Sequence, residues 1–317
     1  MKRSYLLTTV FLFLSLPAIA QAPRTAEDYN NRGLEHQGKG EIDAAIEDFT
    51  AAIARTRQPL LLASIYYNRA NARMNKNDWD GAIADYGKGI ELTPDDPDGY
   101  HNRGLAWMNK GDYDRAIADF SKAIEISPRA SAAYNNRGNA RKAKGDVAGA
   151  IADYDKAIEF SPKFAEAFYN RGVAFQTKED YDAAIRDYTS AVELNANFTD
   201  AFINRGQARQ SKRDYDGAIS DYDSALKLKP DDAGTYFARA SARQAKNDLN
   251  GAFADYTKTV ELDPGSAQTY ANRAVVEALQ GKMAAANQDF EKAFQLDPGL
   301  KSQFRQFIEK RPGLKKP

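Results

Sequence analysis

The side chains that most often perform catalysis or hold a metal are scarce in this chain. Its 317 residues include no cysteine, which excludes thiolate nucleophiles, disulfides and cysteine-based metal sites. The two histidines, His36 and His101, have no nucleophile or metal-ligand spacing around them. The sequence also lacks a glycine-rich phosphate loop. We therefore predict a protein that is not an enzyme and that needs no metal or cofactor.

An amide side chain next to a guanidinium side chain recurs along the chain. The tripeptide Asn-Arg-Gly, or a variant with alanine, marks eight units that are spaced 34 residues apart from residue 70 onward. The first interval is 37 residues, which places a three-residue insertion near residues 57–60. We number each unit from 1 to 34, with the last residue of the tripeptide at position 8. Position 6 is then asparagine in seven units: Asn31, Asn68, Asn102, Asn136, Asn170, Asn204 and Asn272.

An asparagine in the interior of a helix is unfavourable, because its side chain competes for backbone hydrogen bonds. Its recurrence at one position therefore indicates a use. A carboxamide presents both a donor and an acceptor, the complement of a peptide bond, so a row of them can hold a backbone without reading its side chains. The alternative is that each asparagine only bonds the neighbouring repeat.

Charged residues of opposite sign recur at two other positions. Position 7 is arginine and position 23 is aspartate in all eight units, and an antiparallel hairpin brings these positions close to the same level. Arginine suits a bidentate bond to a carboxylate in a partly dry site, so we favour internal ion pairs over a phosphate-binding row. The pairs expected in the middle of the chain are Arg103 with Asp119, Arg137 with Asp153, and Arg171 with Asp187.

The elements that position these side chains are two helices per unit. Apolar residues three and four apart predict helices at positions 1–14 and 15–28. Positions 4 and 24 are aromatic and position 20 is alanine in all eight units, while proline at position 32 ends the second helix in six. In an antiparallel hairpin, residues at the same height of the two helices face each other. On this basis we predict that position 8 meets position 20, and that the rings at 4 and 24 pack at the open end of the hairpin.

This pattern, with alanine also at position 27, resembles the tetratricopeptide repeat family over residues 26–300. The resemblance implies an all-α, right-handed superhelical solenoid of eight helix-turn-helix repeats. The chain departs from the usual family pattern by carrying arginine rather than leucine at position 7, and arginine at position 11 in four units. The expected repeats are 26–62, 63–96, 97–130, 131–164, 165–198, 199–232, 233–266 and 267–300, followed by a capping helix and tail at 301–317.

The resemblance also implies a concave groove that is lined by positions 2, 5, 6, 9, 12 and 13 of the first helices. The position-6 asparagines would line it together with Tyr67, Asn71, His101 and Tyr169. Lys142 is the one clear cation at these positions, so the basic clamp of chaperone-binding relatives is not reproduced. An acidic C-terminal peptide is therefore not the favoured ligand.

The N-terminus has the features of an export signal. Lys2 and Arg3 precede a short apolar run from Leu6 to Leu16, and Ala18-Ile19-Ala20 is a small-x-small cleavage site. The apolar run is short for a membrane span, so we favour a cleaved signal over the alternative of an uncleaved anchor helix. We predict a signal peptide at 1–20, cleaved after Ala20, a short lead at 21–25, and a periplasmic or secreted protein. Since no cysteine follows the cleavage site, a lipid anchor is excluded.

The charges balance, with 44 lysines and arginines against 44 aspartates and glutamates, so we expect no nucleic acid or anionic membrane as partner. The predicted function is that of a protein-interaction scaffold of the bacterial cell envelope, which binds an extended peptide or a partner protein in its groove. Two alternatives remain open. One is a binder of glycans or peptidoglycan fragments that stacks sugars on Tyr67, Trp107 or Tyr169, and the other is a purely structural spacer. The sequence specifies neither the partner nor the oligomeric state.

Overall fold

The computed structural model describes residues 24–315. The predicted signal peptide and its cleavage site lie outside the described residues. Within residues 24–315 the chain forms seventeen α-helices and no β-strand, and none of these helices is long and apolar enough to cross a membrane.

The helices pair into antiparallel hairpins in two compact units. The unit that ends at Asp95 contains α1 (Ala26–Gly38), α2 (Ile42–Ile53), α3 (Pro59–Asn75) and α4 (Trp79–Leu92). The unit that begins at Asp96 contains α5 (Pro97–Lys110), α6 (Tyr113–Ile126), α7 (Ser131–Ala143), α8 (Val147–Phe160), α9 (Ala165–Thr177), α10 (Tyr181–Leu194), α11 (Thr199–Ser211), α12 (Tyr215–Leu228), α13 (Ala233–Ala245), α14 (Leu249–Leu262), α15 (Ala267–Leu279), α16 (Met283–Leu296) and α17 (Leu300–Glu309).

The insertion near residues 57–60 lengthens a helix. Helix α3 has 17 residues, whereas α7 and α9 have 13 each. Its first turn is started by Pro59, which is well tolerated at the first helical position because that position has no intrahelical use for a backbone N–H group. The predicted boundary between residues 62 and 63 therefore lies inside α3.

The second helix of each unit begins at position 17, two residues later than predicted. The residue at position 15 has positive φ in every unit, and it is glycine in only four of them. An aspartate at position 16 then caps the second helix in six units, as Asp146 does by accepting from the backbone N–H of Gly149 at 2.9 Å. The turn thus takes positions 15 and 16 away from the helix.

The close contact at position 8 differs from the predicted one. A methyl group placed on Gly138 would lie 2.7 Å from Cε1 of Tyr154, so the small residue faces the ring at position 24 rather than the alanine at position 20. The rings at positions 4 and 24 do not form the predicted open-end pair. The position-24 rings are buried and contact position 5, as Tyr188 does with Tyr169 at 5.8 Å between centroids. The prediction therefore assigned the wrong pairs of positions to the same level of the hairpin.

Helix α17 covers the C-terminal end of the array. Leu300, Phe304 and Ile308 are buried against α15 and α16, while the polar residues between them are exposed. After α17 the chain turns at Gly313, where φ is +95°, and buries Leu314 in the same apolar cluster.

Candidate functional site

The position-7 arginines lie between the two helices of their own hairpin. Arg137 donates from Nε and Nη2 to the two carboxylate oxygens of Asp153, at 3.0 and 2.7 Å. Asp153 is 2% exposed, and Arg141 at position 11 also reaches it at 2.9 Å. The same fork joins Arg103 to Asp119 and Arg171 to Asp187.

This pairing occupies donor groups of the arginines inside the hairpin. The hydrogen bonds with Asp187 raise the pKa of Arg171 further above its ordinary value. Because the bidentate bond occupies Nε and Nη2 of the guanidinium, these two donors are not free to bind a phosphate on the surface. The row of arginines is part of the fold.

The position-6 asparagines join neighbouring first helices. The Nδ2 of Asn68 donates to Asn30 Oδ1 at 2.9 Å, and that of Asn170 donates to Asn135 Oδ1 at the same distance. In each case the acceptor is the position-5 side chain of the preceding repeat. We call this row of amide bonds the inter-repeat ladder.

The acceptor in the ladder changes its chemistry along the chain. Asn204 donates to the Tyr169 hydroxyl at 3.0 Å, and Asn136 lies 3.4 Å from Nε2 of His101. Burial lowers the pKa of His101, which favours the neutral imidazole that can accept from an amide. The ladder consumes the Nδ2 group of these asparagines.

The remaining asparagines of the predicted row have other surroundings. Asn31 is exposed and Asn102 is half-buried. The Oδ1 of Asn272 accepts from Gln268 Nε2 at 3.1 Å within the same helix. The predicted row is therefore continuous in sequence but uneven in its contacts.

Several amides assigned to the groove are used to satisfy buried tyrosines. The Tyr154 hydroxyl donates to Asn139 Oδ1 at 2.7 Å, and the Tyr86 hydroxyl donates likewise to Asn71. In three later repeats the acceptor is a glutamine at position 12 instead, as with Tyr188. Burial raises the pKa of Tyr86 to about 12, so its hydroxyl keeps the proton that it donates.

The aromatic residues that were considered as sugar platforms are engaged within the protein. The Tyr67 hydroxyl lies 2.8 Å from Thr93 Oγ1, and Tyr169 accepts from the ladder. Trp107, at position 11, is partly buried against the core of its hairpin, with Arg115 over its ring at 4.6 Å. Lys142, the predicted groove cation, is half-buried, and burial lowers its pKa.

In the C-terminal unit the ladder is interrupted on both sides of repeat 7. On the C-terminal side, Phe237 at position 5 offers Asn272 no acceptor. Ile203 occupies position 5 of repeat 6, where it offers no acceptor, and Ala238 replaces the asparagine at position 6 of repeat 7. A cavity of about 560 Å³ opens here between α11 and α13. It has no charged side chain in its wall, which is formed by Gln207, Gln210, Ser211, Tyr222, Gly234, Phe237, Ala238 and Ser241.

A second cavity of about 320 Å³ adjoins the first. It shares Gly234 and Phe237 with the larger cavity and extends to the start of α15, where Thr269 is fully buried. The sequence does mark this site, through the departure of repeat 7 from the pattern of the other repeats. Repeat 7 is the only one of the eight that lacks the position-6 asparagine, and it also has glycine at position 2.

Comparison with known proteins agrees with this architecture. A tetratricopeptide repeat model matches residues 97–129 and 165–198, a second model of that description matches 27–59, 199–232 and 267–300, and a TPR repeat model matches 70–111 and 138–179. A search of curated proteins gives no match.

Solved structures that share the fold come from distant proteins. The C-terminal part of a TPR repeat-containing protein from Cytophaga hutchinsonii is 23% identical with a TM-score of 0.62, over 73% of this chain and 95% of that one. The PilF protein of Pseudomonas aeruginosa is 17% identical with a TM-score of 0.59, over 67% and 96%. YrrB, described as a TPR protein with an unusual peptide-binding site, is 24% identical with a TM-score of 0.50, over 56% and 92%.

The hairpins and their constant internal contacts define an all-α helical repeat solenoid. The chain belongs to the tetratricopeptide repeat family.

Proposed function

We propose that this protein is a non-catalytic scaffold that binds an extended segment of a partner protein along its first helices. The observation that carries the proposal is the cavity of about 560 Å³ between α11 and α13. Seven of its eight wall residues occupy the groove positions of two consecutive first helices, and Tyr222 supplies the floor from α12. An uncharged cleft of this size with a few polar groups is typical of a binding site.

The likeness to YrrB supports the proposal, since a protein of this fold is described as having a peptide-binding site. The position-6 asparagines then have a second role. Their Nδ2 groups bond the neighbouring repeat, and we propose that the Oδ1 atoms of Asn170 and Asn204 accept from backbone N–H groups of the bound segment. Each such bond is expected to contribute about 0.5–1.5 kcal/mol.

Panning of the purified protein against a displayed library of random 12-residue peptides tests this function. We expect peptides to be enriched and to bind with micromolar affinity, about −8 kcal/mol. A library that yields no binder above background would contradict a peptide-binding groove and would favour a structural spacer. Sugar fragments that bind where peptides do not would favour the glycan alternative.

The role of the asparagines is tested separately on an enriched peptide. Asn170→Ala and Asn204→Ala together remove two proposed acceptors along with two ladder bonds, so both affinity and stability should fall. Asn170→Asp keeps an acceptor oxygen while it loses the donor to Asn135. Affinity that survives in the aspartate variant but not in the alanine variant would support the acceptor role. Equal loss in both would show that the ladder bond is the only function.

We further propose that the protein is exported to the periplasm or secreted, on the basis of Lys2, Arg3, the apolar run and the Ala18-Ile19-Ala20 motif. N-terminal sequencing of the protein recovered from its producing cell should begin at Gln21. A chain that is found in the cytoplasm with its first residues intact would overturn this part of the proposal.

A further inference from the structure

The two cavities on repeat 7 restrict the kind of segment that can bind, and this inference rests on the proposed function. Both cavities use Phe237 and Gly234 as wall residues, so the Phe237 side chain borders both of them. The ring is held from behind by Tyr256 at 5.6 Å between centroids, in an edge-on arrangement. The Phe237 ring is therefore supported by the core of its own hairpin.

The side-chain repeat of an extended chain suits two adjoining cavities that share Phe237. Side chains i and i+2 of an extended segment point to the same side and lie about 7 Å apart. An aromatic ring is about 3.5 Å thick, so two apolar side chains in contact with its opposite faces are also separated by about 7 Å. A segment that crosses Phe237 can thus place one side chain in each cavity.

The walls of the two cavities are almost free of charged residues. The larger cavity has no charged wall residue, and the smaller has only Asp263, whose Oδ1 already accepts from the Gly265 N–H at 3.1 Å. The hydroxyl of Thr259 is bonded to the Asp255 carbonyl at 3.0 Å. An anionic side chain would lose hydration in either cavity without gaining a cationic partner, and a cationic one would find no carboxylate in the larger cavity.

Polar groups at the rim of the larger cavity suit an amide backbone. Gln207 is exposed, and Gln210 uses its Oε1 to accept from the Tyr222 hydroxyl at 3.1 Å, which directs its NH₂ group away from that hydroxyl. Carboxamides can bond a passing main chain without preference for its side chains. Selectivity must then come from the two cavities.

We infer that repeat 7 is the anchoring point of the groove, and that it selects an uncharged extended segment with two bulky apolar residues at i and i+2, one on each side of Phe237. The interruption of the inter-repeat ladder at Ile203 and Ala238 is what makes room for this anchor. At Asn135 and Asn170, by contrast, the ladder amides bridge the corresponding positions.

The test uses peptides enriched from the random 12-residue library. We expect the enriched sequences to share two apolar residues two positions apart. The variant Ile203→Asn with Ala238→Asn copies the pair formed by Asn135 and Asn170, so it should keep the fold while it fills the cavity. Its affinity for an enriched peptide should fall at least tenfold, as should that of Phe237→Ala. A control, Ser220→Asn on the exposed face of α12, should bind within twofold of the parent protein.

The peptide provides a second control. Moving one of the two apolar residues by one position preserves composition and should also reduce affinity at least tenfold. Enriched peptides that bind the two variants and the shifted peptides with unchanged affinity would overturn the anchor on repeat 7 and leave the general peptide-binding function standing. The absence of any enriched peptide would reject both.

Discussion

At the scale of single residues, much of the polar chemistry of the chain is spent within the fold. The ion pairs follow from the sequence because both members are constant and the hairpin brings their positions together. The tyrosine–amide bonds could be found only once the position-24 ring was known to project toward positions 9 and 12. Their trace in the sequence is that Tyr86 and Tyr154 occur with Asn71 and Asn139, whereas Phe120 faces only apolar residues at those positions.

The internal ion pairs should be essential for stability. Asp153→Ala leaves Arg137 and Arg141 without their buried partner, which should lower the free energy of unfolding by about 3 kcal/mol. Asp155→Ala is the control, because its side chain is 54% exposed and its pairing with Arg171 is worth well under about 1 kcal/mol. Urea denaturation of both variants gives the comparison. Equal midpoints would show that the fork does not stabilise the fold.

Glu277 makes repeat 8 sensitive to pH. It occupies position 11, where Arg243 in repeat 7 donates to Asp255 at 2.8 Å, and its Oε2 is buried without a hydrogen bond among the described residues. Burial and then the charge of Asp289 raise the pKa of Glu277 above 4.5. Since the folded state holds this proton more tightly than the unfolded state, stability should fall as pH rises from 4.5 through the raised pKa.

Glu277→Gln should remove this pH dependence. Glu277→Arg should reproduce in repeat 8, with Asp289, the ion pair that Arg243 forms in repeat 7, and it should stabilise the protein at neutral pH by about 1–2 kcal/mol. Melting temperatures from pH 4 to pH 8 provide the measurement, relative to the parent protein. Parallel profiles for the parent and the glutamine variant would show that the Glu277 carboxyl does not titrate differently in the two states.

At the scale of the element, the helices could be predicted from periodicity, whereas their junctions could not. The apolar spacing continues through the turn, so it does not show that position 15 leaves the helix. Four units carry a residue other than glycine there, and Glu179 and Arg213 adopt φ of +60° and +65°. A left-handed conformation is unfavourable for these residues because of their β-carbon.

Glycine at either of these positions should therefore stabilise the turn. The relief of about 1–2 kcal/mol of backbone strain exceeds the entropy that glycine adds to the unfolded chain, so Glu179→Gly and Arg213→Gly should each gain about 0.5–1 kcal/mol. Gly145→Ala, at the same position with φ of +86°, is the matched reverse change and should lose a similar amount. Thermal unfolding measures whether each glycine variant gains or loses stability; a loss would contradict the prediction.

At the scale of the whole molecule, the sequence predicted the repeat solenoid but not the place where it departs from its own regularity. A repeat pattern describes what the units share, and the cavities on repeat 7 arise from two small residues, Gly234 and Ala238, whose effect depends on the neighbours that fail to fill the space. The constant asparagines, on which the sequence-based binding hypothesis rests, have a structural role because they connect neighbouring repeats.

The C-terminal end shows how the array is closed. Asn287 donates from Nδ2 to the Gly313 carbonyl at 3.0 Å and accepts from the Lys315 N–H at 2.7 Å, so one amide holds the backbone on both sides of Leu314. The Leu314 side chain is buried with Phe290 and Ile308. Because repeats in a solenoid contact only their neighbours, loss of this closure should act first on the last repeat.

Leu314→Ala should cost about 2 kcal/mol in the local stability of repeat 8, since it removes a buried side chain from a packed cluster. Hydrogen exchange should accelerate in α15, α16 and α17 while α7 to α10 in the same unit keep their protection. Lys315→Ala is the control, because it preserves the backbone N–H that Asn287 accepts and removes only an exposed side chain. If exchange accelerated equally in all of these helices, the unit would unfold as a single cooperative block. If it changed nowhere, the tail would contribute nothing to the closure of the array.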